Sequence, residues 1–229
     1  IWSNPKNAVI GDRAFGTTAE DVEKHVSAAI RGLHTGGVLA CAKHFPGHGN
    51  TLKDSHYDLP FVKKTLEELR EEELIPFQKA SKSRSEFIMM AHLVVDAIDK
   101  EHPCTLSKKA YDFLRDELKY KKIIITDDME MKAVADRYTI EEAAVMALDA
   151  GADIIMYRSF EKTKLAYESV MQAIKEQKLS RTDLDAKVKR VMNCKRKFFK
   201  EYKPIYIPTV SKMLKDDRQS EILDKLAQG

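Results

Sequence analysis

Four short apolar runs, at 38–42, 87–92, 123–126 and 154–157, constrain the fold of this chain more than any other feature. Each is followed by a longer stretch with helical character. Runs of this length with no polar alternation read as strands buried on both faces, with Met89, Met90 and Ile123 to Ile125 in the core. Helices are expected at 19–34, 64–82 and from the cap residue Ser107 to about 120. Another resumes at Glu130, is broken around Tyr138 and runs to Ala150; two more cover 162–177 and 183–200. Thr17 or Thr18 can cap the first, with Glu20 and Asp21 at its positive dipole end, and Gly36-Gly37 stops it. A final amphipathic helix follows the 204–208 segment. Regular alternation of strand and helix is the signature of a parallel α/β protein. Lys43, His44, His92 and Asp127 all fall at C-terminal strand ends, where a (β/α)8 barrel carries its chemistry. About four strand–helix units are present, so the sheet is either a smaller open one or the C-terminal part of a TIM-type barrel.

Composition narrows the partners. A formal charge of +3 is spread along 229 residues with no concentrated basic face, which disfavours nucleic acid. The densest basic run, 187–203, alternates with apolar residues and reads as a solvated helix face. Cys41, Cys104 and Cys194 are odd in number and widely spaced, without metal-ligand or disulfide patterning. This favours a reducing, cytoplasmic location. The chain opens on Ile1 within a loop-like segment, so loss of an N-terminal signal would make the protein secreted or lipid-anchored instead. No stretch approaches the length of a membrane span.

The stretch CAKHFPGHGNTLKDSHYDLP, at 41–60, gathers Lys43, His44, His48, Asp54 and His56 around Gly47 and Gly49. Asp54-Ser55-His56 offers an imidazole that titrates near neutrality, with a carboxylate two residues away to fix its tautomer. The same triplet also suits an ordinary polar loop. Asp127 ends a strand and could attack an anomeric carbon, or Asp127 or Asp128 could cap the following helix. Lys43, His44 and Arg13 could donate to ligand hydroxyls or a carboxylate, or sit on the surface. His48 suits a structural bond to the loop backbone as well as a ligand contact. A zinc site from His44, His48 and His56 follows no common ligand spacing. His25, His34 and His102 read as surface residues without partners.

The segment KHFPGHGNTLKDSHYDLP closely resembles the signature of glycoside hydrolase family 3, in its β-N-acetylglucosaminidase branch. In the same order come NPKNAVIGDRAFG, PFQKA, MMAHLVV, TLSKKAYDFLRDEL, IIITDDMEMKAV and ALDAGADIIM. The resemblance implies a (β/α)8-type barrel and a retaining hydrolase that removes terminal N-acetyl-β-D-glucosamine, typically from peptidoglycan-derived fragments. It places the nucleophile at Asp127, the acid/base at His56 paired with Asp54, and sugar-binding groups at Arg13, Lys43 and His44. His92 and Met131 fall in motifs lining the site. No metal or organic cofactor is implied, and the partner is a small carbohydrate bound by a monomer. Residues 1–203 correspond to the C-terminal portion of the barrel domain, and 204–229 to an extension or linker helix. Asn50 stands where the family usually has Asp, and the family's N-terminal D-x-E-G-G-R-type segment is absent. The alternatives are a phosphorylase on the same fold and an inactive carbohydrate-binding fragment.

Overall fold

A computed structural model describes residues 1–7, 10–51, 58–201, 204, 206–214 and 217–228. The chain divides into two units, Ile1–Cys194 and Lys195–Gly229. In the second, two helices stand where one was expected: α9 (Ile207–Met213), with proline in its first turn, and α10 (Asp217–Gln228).

The first unit is built on a four-stranded parallel sheet. Helix α1 (Ala19–Thr35) begins where the Thr18 hydroxyl accepts the Asp21 N–H, and ends at Gly36-Gly37. Strand β1 is Cys41–Phe45, three residues later than the apolar run suggested. Val38 is 51% exposed, and pairing starts only where Phe87 donates to the Ala40 carbonyl. A two-residue strand β2 (Phe61–Val62) leads to helices α2 (Leu66–Glu71) and α3 (Leu74–Lys82), then to β3 (Phe87–Met90) and β4 (Val94–Val95). Helix α4 (Lys108–Asp112) precedes β5 (Ile123–Asp128), and α5 (Lys132–Ala135) and α6 (Ile140–Ala150) precede β6 (Ile154–Met156). Helices α7 (Phe160–Lys175) and α8 (Arg181–Phe198) follow. The sheet order is β1-β3-β5-β6, all parallel. Spatial order equals chain order, so each crossover advances one strand in the same direction, as in a barrel wall and unlike a doubly wound sheet. The α/β class and the parallel sheet of a partial TIM-type barrel match the reading of the sequence. The short parallel pair β2–β4 does not appear in that reading, because two residues carry no periodicity.

Alternation along the strands separates two faces. Ile88, Met90 and Ile124 are fully buried against helix residues such as Ala110, Leu114 and Ala147. Each such side chain stabilises the fold by about 1.5–3 kcal/mol through burial. Phe87, Met89, Ile125 and Asp127 alternate with them and are only half-buried. Met89 and Ile125 are thus not core residues: the sheet has one covered face and one open face.

Two expected helices are interrupted, each for a local reason. The helix expected at 64–82 breaks at Glu72–Glu73 because Pro76 has no N–H to give to the Glu72 carbonyl. The break places Glu73, 3% exposed, 2.6 Å from the Lys64 ammonium, which also pairs with Glu72. The stretch expected to be helical from Glu130 starts only at Lys132, and a capping box formed by Thr139 and Glu142 restarts it as α6. Helix α6 ends at Gly151, at φ +137°, where an added Cβ would lie 2.8 Å from Tyr111. The helix capped by Ser107 widens into a π-helical turn at Phe113–Glu117.

Ionic contacts revise three more expectations. His34 is not partnerless: its Nε2 lies 2.7 Å from Glu86 and ties the end of α1 to the start of β3. His102 lies 3.7 Å from Asp99, and His25 stacks on Phe15. The basic run of α8 is not wholly solvated. Lys187 is buried, and Arg190 reaches the Asp153 carboxylate at 2.7 Å. Asp153, whose side chain is fully buried, also accepts from Arg115 at 2.7 Å and from the Ile124 N–H at 2.8 Å. Among the described residues, no helix is long and apolar enough to cross a membrane.

Candidate active site

The site is assembled from the C-terminal ends of β1, β3, β5 and β6. At the end of β1 the Lys43–His44 and Phe45–Pro46 peptides are both cis. Gly47, at φ +141°, leaves room for Glu73, whose side chain would lie 2.7 Å from a Cβ at that position. His48 is bonded into the loop and also lines the cavity beside His44. It is buried, its Nδ1 lies 2.7 Å from the Thr51 hydroxyl, and its carbonyl accepts from Asn7 Nδ2 at 2.7 Å. Its ring meets that of His44 edge-on, with centroids 6.0 Å apart.

Strand β5 does not stop before Asp127; its pairing extends to Asp128, with a register irregularity against β6 between Ile125 and Asp128. Irregularities of this kind re-aim side chains next to active sites. The Thr126 hydroxyl accepts the Met156 N–H at 3.0 Å there. Asp127 Oδ1 accepts the Asp128 N–H at 2.8 Å, and its Oδ2 lies 3.5 Å from His44 Nε2. Asp128 is engaged differently: Oδ1 accepts the Glu130 N–H at 3.0 Å and Oδ2 meets Arg158 Nε at 2.5 Å. Helix α5 has Met131 at its N-cap and no side-chain cap, so neither aspartate caps it.

Burial pushes the His44 pKa down to about 3, with Lys43, His48 and Arg13 acting in the same direction and Asp127 opposing them. At neutral pH His44 is therefore uncharged beside the carboxylate and not its counter-ion. The consequence for stability has a definite sign. The unfolded chain binds a proton at this histidine near pH 6.5, while the folded chain does so only near 3. Stability should be full above pH 6.5 and fall as pH drops toward 3, by at most about 1.4 kcal/mol per unit from this group. His92, also shifted down by burial, adds in the same sense. Urea midpoints measured at pH 7, 5.5 and 4.5 check this; equal slopes in wild type and His44→Gln would contradict it.

Arg13, on a 3-10 turn at Gly11–Arg13, lines a cavity of about 340 Å³ together with Lys43 and His44. Apolar side chains also line it, among them Val22, Val26 and Ile30 of α1 and Phe77 of α3. Asp54 and His56 lie outside the described residues. Arg13, Lys43, His44 and Asp127 are thus brought to one end of the sheet. The reading of the sequence missed Glu130. It accepts the N–H groups of Arg158 and Ser159 at 2.8 and 2.7 Å and pairs with Lys162 at 2.9 Å, pinning the loop after β6 to the loop after β5. The Ser159 N–H first, then Lys162, hold its carboxyl down to about 2. The only signal was the density of acids after the strand, in DDMEM.

Comparison with known proteins follows the same residues. The model of the glycosyl hydrolase family 3 N-terminal domain matches residues 1–194. A β-hexosaminidase of Stenotrophomonas maltophilia is 35% identical over 150 residues, 66% of this chain and 45% of that protein. β-Hexosaminidase LpqI of Mycobacterium tuberculosis is 32% identical over 201 residues, 85% of this chain and 52% of its own length. The structure of a family 3 β-N-acetylglucosaminidase from Paenibacillus sp. FPU-7 superposes with a TM-score of 0.86 at 37% identity, covering 90% of this chain and 40% of that one. The chain thus spans about half the length of these curated relatives. With its family model matched from Ile1 to Cys194, the chain belongs to glycosyl hydrolase family 3, as an N-terminal-domain sequence.

Proposed function

We propose that the protein to which this chain belongs is a retaining β-N-acetylhexosaminidase that releases terminal N-acetyl-β-D-glucosamine, with peptidoglycan-derived fragments as its substrate class. The observation that carries this reading is the Asp127 carboxylate on the open face at the end of β5, facing an uncharged His44. The names of the relatives, β-hexosaminidase and β-N-acetylglucosaminidase, supply the sugar. Arg13, Lys43 and His44 hold the sugar hydroxyls and acetamido group. An Asp127 oxygen attacks the anomeric carbon while protonated His56, oriented by Asp54, gives its proton to the departing glycosidic oxygen. Neutral His56 then takes a proton from water, the hydroxide attacks the same carbon, and the bond to Asp127 breaks with net retention.

The test is hydrolysis of an aryl N-acetyl-β-glucosaminide by the 229-residue chain, with the product anomer followed by NMR. A β-anomer as first product supports double displacement; an α-anomer overturns it. A fluorinated glycosyl donor should leave its mass on the peptide containing Asp127. Replacing His56 by alanine should slow substrates with poor leaving groups by about 10²–10⁴-fold and activated aryl glycosides far less, since these need little protonation. Equal losses on both classes would remove His56 from the acid role.

A further inference from the structure

The imidazole of His92, just past β3, is fully buried and takes no part in the steps above. Its Nε2 lies 2.9 Å from the Asp128 carbonyl and its Nδ1 lies 2.7 Å from the Thr105 hydroxyl. A carbonyl can only accept, so the ring proton is on Nε2. Burial lowers the ring's proton affinity, and Nδ1 meets a buried Thr105 hydroxyl that gives its own proton to the Ala91 carbonyl at 2.8 Å. Regular pairing of β3 with β5 ends at Met90 and Thr126, so no ladder N–H from β3 is registered opposite Asp128. The Asp128 carbonyl accepts the Met131 N–H at 3.0 Å, and His92 adds a second donor, the one that ties this carbonyl to the β3 side. From the other side, the Met129 N–H is given to the Met156 carbonyl at 2.9 Å. The Asp128–Met129 peptide is therefore held by β6 through its N–H, while its carbonyl is shared between the Met131 N–H and His92 on the β3 side.

We infer that His92 is a positioning residue, whose Nε2–H on the Asp128 carbonyl fixes the strand end that presents the Asp127 carboxylate. The inference rests on the reading of Asp127 as the reacting carboxylate. It separates from a plain packing role because two polar substitutions should behave differently. The amide nitrogen of glutamine reaches the place of Nε2, whereas that of asparagine reaches only the place of Nδ1.

The experiment is amide hydrogen exchange in the full 229-residue chain. The Asp128 N–H is the reporter, since it is the hydrogen bonded to Asp127 Oδ1. His92→Asn should speed exchange at Asp128 and Met129 by about tenfold or more while His92→Gln stays near wild type. Ile88 and Ile124, in the middle of the sheet, should be unchanged in both. Where turnover is measurable, kcat should fall by about 10²-fold for His92→Asn, with KM nearly constant and substantial recovery in His92→Gln. Identical behaviour of the two variants, or loss spread evenly to Ile88 and Ile124, would overturn the inference. If neither variant folds, the wild-type ring decides: nitrogen NMR should show a protonated Nε2, and a bare Nε2 would sink the idea. Exchange needs no substrate. Turnover that survived Asp127→Ala would remove the glycosidase role of Asp127 and leave the exchange result to be judged separately.

Discussion

Replacing Asp127 by alanine should lower kcat toward an aryl N-acetyl-β-glucosaminide by about 10⁴-fold or more, an added barrier of about 5.5 kcal/mol. The reason is that the attacking oxygen itself is removed, and among the described residues the neighbouring carboxylates Asp128 and Glu130 are already engaged. Asp128 is bound by Arg158 and the Glu130 N–H, and Glu130 by two backbone N–H groups and Lys162. Neither can rotate to the anomeric carbon without leaving those partners. Asp128→Asn should therefore reduce kcat much less, by about tenfold, through a loosened Arg158 contact. Azide supplied to Asp127→Ala should restore turnover by taking the place of the carboxylate and should give an α-glycosyl azide. The shortest chain that hydrolyses the substrate is the material for this measurement. Normal turnover in Asp127→Ala would sink the assignment.

The parallel sheet was legible because its four strands are continuous apolar runs, a pattern that survives without tertiary information. The placement of charged groups at strand ends was legible for the same reason. Boundaries were not. Val38 and Leu39 are apolar yet outside the strand, and Lys43 and His44 are polar yet inside it, because the pairing with β3 that defines β1 starts only at the Ala40 carbonyl. The helix break at Glu72 is written in Pro76, whose missing N–H acts one turn upstream of the proline itself. Asp127 could be singled out by its place after an isoleucine run. The irregularity that turns it toward His44 could not, since it depends on which N–H of β6 meets Thr126. Glu130 and Arg158 lie 28 residues apart and meet only because β5 and β6 are adjacent. Half-burial of Met89 and Ile125 was equally hidden, because a continuous apolar run does not say whether both faces of its sheet are covered.

Asp153→Ala should cost about 3–5 kcal/mol of stability and leave catalysis nearly untouched in the fraction that folds. Its carboxylate is fully buried and serves Arg115, Arg190 and the Ile124 N–H at once. Removing it leaves two guanidinium groups facing each other with no anion, and one strand N–H without its acceptor. Both arginines keep partial access to water, at 23% and 33% side-chain exposure. That favours the lower end of the range. For a unit of this size about 3 kcal/mol corresponds to a fall in Tm of roughly 6–12 °C. Asp153→Asn should lose less, because its amide oxygen can still accept from Ile124. A loss under about 1 kcal/mol for Asp153→Ala would show that the arginines find water easily and that the pairing is ordinary surface electrostatics. Asp153 sits at the N-terminal ends of β5 and β6, and Asp127 at the opposite end of β5. Asp127→Ala should accordingly leave Tm unchanged or raise it slightly, since a carboxylate held beside an uncharged histidine on an open face contributes little to folding. Opposite responses of the two variants, one losing turnover at constant Tm and the other losing Tm at constant KM, are what a barrel-type sheet requires if its two ends divide chemistry from stability.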